Sequence, residues 1–345
     1  MHNNYNCAAS KFVFRQFTLL CKRLVLFGRE LLAVDGTRIK AVNNKDRNFT
    51  RNSLEKFIEA ADERLEEYLQ RLDEGDAAES GTGGARTKNL AEKIEALRNK
   101  RGRYAVRLAE MQRTGEAQVS LTDPDNRAMA AHTKVGVGYN IQVAIDAKNK
   151  MIVEQAVTYQ VVDMGLLTQT AEPTRAILDI ATIDVVADRG YFKIEDIEAC
   201  EKAGCVPFVP KPQRGSSVRE GFFRKDEFRY DPERDVFICP AGQILVCPMR
   251  SRCTNGYRKV SRLENEAVLD RMAARLKARP EVLDRRRETV EHPFGSIKQW
   301  MNQGAFLMRG LDKVRAEFSV TAFVYNLRRA LNILGVEAMM EAVRS

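Results

Sequence analysis

An ordered series of apolar, β-rich segments constrains the fold of this chain more than any other feature of its sequence. The first, LLAVDGTRIKAV (31–42), breaks at Asp35-Gly36-Thr37, the pattern of a buried strand that ends in an exposed polar turn. VGYNIQVAIDAKNKMIVEQAVTYQ (137–160) holds two such runs around a polar stretch, which predicts a hairpin. TIDVVADRGYF (182–192) predicts a short strand that ends at Asp188, and 205–209 predicts another.

Predicted helices at 164–178 and 194–202 separate the later strands. The order is therefore strand, long helical insert, hairpin of two strands, helix, strand, helix, strand. Without the insert this is the order of a ribonuclease H-like α/β fold, in which three antiparallel strands are followed by parallel strands. We expect 31–48, 131–212 and 261–345 to form this domain, with a helical segment at 1–30 before it.

Two insertions are predicted. Apolar residues recur at three and four in two segments within 50–115; the first is acidic and the second basic, which predicts an antiparallel helical hairpin. The second insertion, 213–260, is polar and should have little regular structure. It holds Cys239, Cys247 and Cys253, but their spacing lacks a CxxC pair and a nearby histidine, so a zinc site is not favoured.

Composition limits the class of protein. The 345 residues are 44% hydrophobic, enough for a sizeable core, and no run is long enough to span a membrane. Seven scattered cysteines argue against a disulfide framework, so a cytoplasmic protein is expected. The net charge of +9 and the pI near 9.2 favour a polyanionic partner such as DNA.

Two aspartates far apart in the sequence should meet at one end of the sheet. Asp35 ends the first predicted strand and Asp188 ends the fourth, and these strands are neighbours at the centre of the predicted sheet. Carboxylates suit Mg²⁺, and a pair of such ions can activate water and stabilise the leaving oxygen of a phosphodiester. Asp146 also ends a strand, but choosing it would leave only one strand before the helix that leads to Asp188, so topology favours Asp35.

The third acid is expected on a later helix, in RRRETVEHPFGSIKQW (285–300). Glu291 lies four residues after Arg287 and seven before Lys298, a spacing that its rival Glu288 lacks. On one continuous helix all three would share a face, with the two cations placed for DNA phosphate. Pro293 leaves a second arrangement open, in which Glu291 lies at a helix start.

Other polar and aromatic residues have different expected roles. Lys211 and Arg214 follow the fifth strand and are expected to contact DNA phosphates. Asp123 and Asp125 suit capping or turn roles better than catalysis. Trp300, nine residues after Glu291 and therefore on the opposite helical face, is predicted to lie in the core.

The stretches AVDGTRIKAV, TDPDNRAM, GYNIQVAID, VVADRGYF and the Arg287, Glu291, Lys298 spacing closely resemble DDE-domain transposases of bacterial insertion sequences. The resemblance runs from about 12 to 334. It implies a ribonuclease H-like catalytic domain in which Asp35, Asp188 and Glu291 bind two Mg²⁺ ions, for which Mn²⁺ can substitute. It further implies cleavage at transposon ends, transfer of the 3′-hydroxyl into target DNA, and a homodimer on DNA, with no small-molecule substrate.

The sequence departs from the family pattern at three places. Asp284 stands where the family signature has a tyrosine. The usual N-terminal DNA-binding region is expected to be reduced to the helical remnant 1–30, and the cysteine insertion lacks a CxxC pair. Two alternatives therefore stay open: a truncated remnant that only binds DNA, and a ribonuclease H-like nuclease that does not join strands.

Overall fold

The computed structural model describes residues 5–42, 48–77, 84–115, 118–120, 123, 125–131, 134–212, 227–231, 233–234, 236–238 and 265–344. Within these ranges the helices are α1 (Tyr5–Arg23), α2 (Arg51–Ala77), α3 (Gly84–Thr114), α4 (Leu167–Leu178), α5 (Ile194–Lys202), α6 (Glu266–Ala278), α7 (Glu281–Gly295), α8 (Leu311–Leu334) and α9 (Val336–Arg344). The strands are β1 (Leu31–Lys40), β2 (Asn48–Thr50), β3 (Gln118–Ser120), β4 (Arg127–Ala131), β5 (Lys134–Asp146), β6 (Met151–Thr158), β7 (Ile183–Val186), β8 (Cys205–Phe208), β9 (Arg229–Asp231) and β10 (Val236–Ile238).

A mixed sheet forms the centre of the molecule. Strand β1 lies between β5, which is antiparallel to it, and β7, which is parallel to it. Strand β6 runs antiparallel to β5, and β8 runs parallel to β7. These directions are the ones expected from the sequence, and the α/β class is confirmed. The sheet also contains β4, which pairs with the start of β5 and was not predicted as a separate strand.

The first strand does not end at Asp35, as the polar interruption had suggested. It continues through Gly36 and Thr37 to Lys40, with Asp35 opposite Val143 and Thr37 opposite Ile141. The backbone hydrogen bonds to β5 hold this polar stretch in the extended conformation although its side chains are not apolar. Asp35 is therefore in the middle of a central strand.

Two layers of helices cover the sheet. On one face Leu32 and Val34 pack with apolar residues of α1, α4 and α5. On the other face Leu31 and Ala33 pack with residues of α7 and α8, including Val290 and Phe318. Because side chains alternate along a strand, Asp35 belongs to the face that α7 covers and Gly36 to the opposite face.

The acidic and basic segments form the predicted helical hairpin, since α2 packs against α3 and Asp62 pairs with Arg101 between the two helices. The polar insertion was predicted to have little regular structure, but its described part contains β9 and β10, which pair with each other. Cys239, Cys247 and Cys253 lie outside the described residues. No helix in the described ranges has the length and apolarity that a membrane span requires.

Candidate active site

Asp35 and Asp188 are positioned by β1 and β7, two adjacent parallel strands of the sheet. Asp35 is carried by β1, and Asp188 follows the C-terminal end of β7 by two residues. The Asp188 side chain accepts a hydrogen bond from the Gly190 backbone N–H at 2.7 Å and so caps the short 3₁₀ turn Arg189–Tyr191. Asp35 accepts a hydrogen bond from the Gly36 N–H at 2.9 Å. The structure thus brings together the first two of the three predicted acids.

A cation from α7 joins these two carboxylates. The Nη2 atom of Arg286 lies 2.8 Å from Asp35 Oδ1 and 3.8 Å from Asp188 Oδ2. The side chains of Arg286 and Asp35 are each only 15% exposed, so water screens this pair weakly. The positively charged guanidinium of Arg286 therefore lies between the two carboxylates.

Arg286 was not among the residues predicted from the sequence, because the spacing to Glu291 and Lys298 favoured its neighbour Arg287. A signal was available, since Val282, Arg286 and Val290 recur every four residues, and both valines are buried. An arginine on the buried stripe of a helix needs an acidic partner inside the molecule. Two aspartates at the sheet centre supply it.

Burial governs the ionisation of Asp35. Loss of solvent raises its pKa to about 6, and the negative charge of Asp188 adds to this effect. The positive charge of Arg286 and the hydrogen bond from the Gly36 N–H oppose it. Asp35 is consequently an acid whose charged form depends on a neighbouring cation.

The predicted third acid, Glu291, lies on α7, but not at its start. Glu291 and Pro293 are both in the last two turns of this helix, and the chain continues from Gly295 into a π-helical turn, Ser296–Trp300. Of the two arrangements left open by Pro293, the structure therefore shows the one in which Glu291 lies inside a helix and not at its start. Proline removes one backbone N–H from the helical ladder, and the wider turn that follows is one way in which helices absorb such a defect.

Most of the predicted site residues line an open cleft of about 340 Å³. Asp35, Arg287, Glu291 and Lys298 all line it, together with Arg286. Lys298 Nζ donates a hydrogen bond to Thr37 Oγ1, two residues beyond Asp35. Partial burial lowers the pKa of Lys298, and the charge of Asp35 opposes this shift. We expected one face to carry Arg287, Glu291 and Lys298, and all three line this cleft.

Glu291 is exposed on the wall of the cleft, whereas the two aspartates are drawn together by Arg286. Within the ranges that the structure describes, no three acidic, histidine or cysteine side chains lie close enough to hold a metal ion in common. The role of the three acids as one ligand set is thus a proposal.

A buried polar network lies on the other face of the sheet, beneath the two aspartates. Asp163 Oδ1 accepts hydrogen bonds from Asn140 Nδ2 at 2.7 Å and Gln142 Nε2 at 2.8 Å. The hydroxyl of the fully buried Tyr191 donates to Gln142 Oε1, which fixes the orientation of that amide. The network thereby anchors the turn that carries Asp188. It was not predicted from the sequence.

Glycine is required at position 36 by this network. A Cβ atom there would lie 2.6 Å from both Asp163 Oδ1 and Gln142 Nε2. Since β1 and β5 hold the backbone in register, these partners would have to move. Gly36 leaves the space that lets Asp163 approach the sheet.

Three other aspartates have structural partners. Asp146, the rival of Asp35, accepts hydrogen bonds from the backbone N–H groups of Gly28, Arg29 and Lys148 at 2.9, 2.9 and 3.0 Å. Asp123 accepts from Tyr139 Oη at 2.6 Å, and Asp125 accepts from the N–H of Leu311 at 2.9 Å, at the start of α8. The preference for capping and turn roles at 123 and 125 agrees with these contacts.

The remaining predicted residues have different outcomes. Lys211 is exposed just after β8, and Arg214 lies outside the described residues. Trp300 is 76% exposed, so the prediction that it lies in the core is wrong. It does lie on a different side of the helix from Glu291, but that side faces solvent, beside α8.

Comparison with known protein families matches residues 26–327 to the transposase DDE domain. Comparisons with curated proteins and with solved structures gave no match. The matched range includes Asp35, Asp188 and Glu291 and leaves only short segments at either end. This coverage, over most of the chain, shows that the protein belongs to the transposase DDE domain family.

Proposed function

We propose that this transposase cleaves DNA at transposon ends and transfers the freed 3′-hydroxyl into target DNA, with Asp35, Asp188 and Glu291 as its catalytic acids. The observation that carries the proposal is the convergence of Asp35 and Asp188 on a single cation, the guanidinium of Arg286. These two acids are about 150 residues apart in the sequence, and Asp35 lines the cleft that Glu291 and Lys298 also line. Asp146, the rival acid, instead takes three backbone N–H groups as its partners.

The residues fit a divalent metal. Asp35 and Asp188 provide hard carboxylate oxygens, and the position of Arg286 supports the view that a positive charge is favourable between them. Glu291 would be the third ligand, from the same cleft. When bound, two Mg²⁺ ions, or Mn²⁺ in their place, would activate the attacking oxygen and stabilise the leaving oxygen of the phosphodiester.

The chain's own cations would position the DNA. Lys298 is held beside Asp35 by Thr37, so its ammonium would contact a phosphate next to the scissile bond. Arg287 is 73% exposed on the same cleft wall, where its planar fork suits a phosphate. Lys211 and Arg214, which follow β8, would extend this contact along the backbone, and a homodimer would bring two transposon ends together.

Strand directions support a ribonuclease H-like fold for the catalytic part. In that assignment β1, β5 and β6 are the three antiparallel strands, and β7 and β8 are the parallel ones. The α2–α3 hairpin and the segment 213–260 would then be insertions into it. The predicted division into 1–30, the discontinuous catalytic domain and these two insertions follows from this assignment.

A cleavage and joining assay tests the proposal. Purified protein is incubated with labelled duplexes that carry the ends of its own element, with Mg²⁺ or Mn²⁺, and with a target plasmid. We expect nicked ends and joined products from the wild type and neither product from Asp188→Ala. The matched control is Asp184→Ala, which removes an acid of β7 that pairs with Arg279 and should keep both products.

The alternatives give different results in the same assay. A nuclease that does not join strands would yield nicked ends without joined products. A DNA-binding remnant would bind the ends equally well as wild type and as Asp188→Ala, and cleave with neither. Either result would overturn the proposal.

A further inference from the structure

A second cleft lies on the other side of the helical segment that carries Glu291 and Lys298. Its volume is about 320 Å³, and it is formed between the end of α7, the π-helical turn and α8. The residues that line it are His292, Ser296, Trp300, Met301, Val324, Tyr325, Arg328, Arg329 and Asn332. None of these described lining residues is acidic, although the chain has 47 Asp and Glu. The cleft therefore suits an anionic ligand.

An exposed tryptophan gives this cleft an aromatic wall. Trp300 is 76% exposed, which is unusual for the largest apolar side chain, since burial normally stabilises it. The guanidinium carbon of Arg328 lies 5.8 Å from the ring centroid, so one cation is already beside the indole. Most of the ring remains available to a ligand.

The other walls are held rigidly. Arg329 donates from Nε and Nη2 to the Asn149 carbonyl oxygen at 3.1 and 2.8 Å. Tyr325 Oη donates to the Lys150 carbonyl at 2.6 Å and lies 2.9 Å from His292 Nδ1, so His292 donates from Nδ1 and directs Nε2 away from this pair. These contacts fix His292, Tyr325 and Arg329 against the segment between β5 and β6.

We propose that this cleft binds a nucleobase of the DNA substrate, stacked on Trp300, with its phosphate held by Arg328. An aromatic face beside a guanidinium is the arrangement that holds unpaired bases, because every base has a π-face and every nucleotide carries a phosphate. The position agrees with this ligand. Trp300 and Lys298 belong to the same five-residue turn, so a DNA strand at the active-site cleft has to cross only the width of one helix, roughly 10–12 Å, to reach Trp300. The inference rests on the proposed function, since it assumes that DNA lies at that cleft.

The chain contains one tryptophan, so its fluorescence reports on this cleft alone. The probes are a single-stranded oligonucleotide and an abasic oligonucleotide of the same length and charge. We expect the first to quench Trp300 emission and the second to leave it unchanged, although both bind through phosphate. Binding of each is followed separately by the anisotropy of an end label.

Substitutions sharpen the test. Trp300→Leu should weaken binding of the base-bearing strand by roughly 5- to 150-fold, the range that corresponds to the loss of one stacked base, and should leave the abasic strand unaffected. Trp300→Phe, which keeps an aromatic face, should recover most of this affinity. The control is Phe12→Leu, which removes another exposed aromatic, 63% exposed on α1, and should change neither affinity.

Three results would overturn the proposal. One is full binding by anisotropy with no change in emission, which would place the DNA elsewhere. Another is equal quenching by both oligonucleotides. The third is an emission shift that follows protein concentration without DNA, which would assign the cleft to a second copy of the chain. Loss of cleavage by Asp188→Ala is measured independently, so the failure of this inference is distinguishable from the failure of the proposed function.

Discussion

Asp35 and Asp146 lie on neighbouring strands of the same sheet, and burial raises the pKa of both, yet their surroundings differ. Asp146 is almost fully buried and accepts three backbone N–H groups, two of them from the segment between α1 and β1. Asp35 accepts one backbone N–H and otherwise faces a guanidinium and a second carboxylate. The first environment consists of main-chain groups that the fold holds in place, whereas the second depends on a side chain that can move.

The type of partner distinguishes a buried acid that fixes the chain from one that can bind a different cation. Backbone donors cannot be exchanged for another ligand without unfolding the segment that carries them, so Asp146 fixes the chain that enters β1. A guanidinium between two carboxylates can give way to another cation. Among the two candidates for the first catalytic acid, this comparison favours Asp35, the choice made from strand order.

The largest effect is expected when Asp35 and Asp146 are each replaced by asparagine. Asp35→Asn should lower metal-dependent DNA cleavage by more than about 100-fold, because loss of a ligand should exceed the 10–100-fold cost of losing an outer-sphere partner. Asp146→Asn should keep cleavage and instead lower the free energy of unfolding by about 1–3 kcal/mol, since a backbone N–H loses its charged acceptor. Cleavage assays and urea titrations of both variants measure the two effects. Equal loss of cleavage in both folded variants would contradict the distinction.

Arg286 provides the next test. If its guanidinium and a metal ion occupy the same position, Arg286→Gln should bind Mn²⁺ more tightly, by roughly tenfold, because the metal no longer displaces a charge-assisted hydrogen bond. Titration followed by electron paramagnetic resonance gives the affinity without DNA. Arg285→Gln, on the adjacent exposed position of α7, is the control and should match the wild type. Weaker binding by Arg286→Gln would mean that the arginine supports the metal site and does not compete with it.

A smaller effect is expected at the network beneath the aspartates. Gly36→Ala should destabilise the protein by about 1–3 kcal/mol, because the added methyl would lie 2.6 Å from Asp163 and Gln142. Gly102→Ala, inside α3 with no atom within 4 Å of the added methyl, should stabilise it by about 0.5–1 kcal/mol. Urea titrations compare the two. A destabilised Gly102→Ala together with a neutral Gly36→Ala would reverse this account.

The smallest effect is expected for an aspartate–arginine pair in solvent. Asp62 accepts from Arg101 Nε at 2.9 Å and Nη2 at 3.2 Å, a geometry as good as that of Asp35 and Arg286. Both side chains are more than 40% exposed, so water and salt screen the attraction. Asp62→Asn should leave cleavage and the urea midpoint close to those of the wild type. A large shift would show that the helical hairpin depends on this pair.

The sequence predicted those parts of the fold that rest on local patterns. Apolar runs placed β1, β5, β6, β7 and β8, and the change to a helical period placed α2 and α3. The end of β1 was misplaced because a polar Asp-Gly-Thr stretch normally favours a turn, while here pairing with β5 and β7 on either side stabilises the extended chain. The preference of a short segment for turn or strand does not include the hydrogen bonds that neighbouring strands supply.

The site was predicted in part for the same reason. Asp35, Asp188 and Glu291 were chosen from strand order and spacing, and two of them lie together. Arg286 and Asp163 were missed because their importance depends on which residues face them across the sheet. Trp300 was misplaced because periodicity shows which face of a helix it occupies, but not whether another element covers that face.

Direct measurement of metal binding tests the central claim, that Asp35 and Asp188 hold the catalytic metal. Wild-type protein, Asp35→Asn, Asp188→Asn and Asp146→Asn are titrated with Mn²⁺ in the absence of DNA, and bound Mn²⁺ is determined by electron paramagnetic resonance. We predict that binding is lost in Asp35→Asn and Asp188→Asn and kept in Asp146→Asn. Unchanged binding in Asp35→Asn and Asp188→Asn, with both variants folded, would contradict the account.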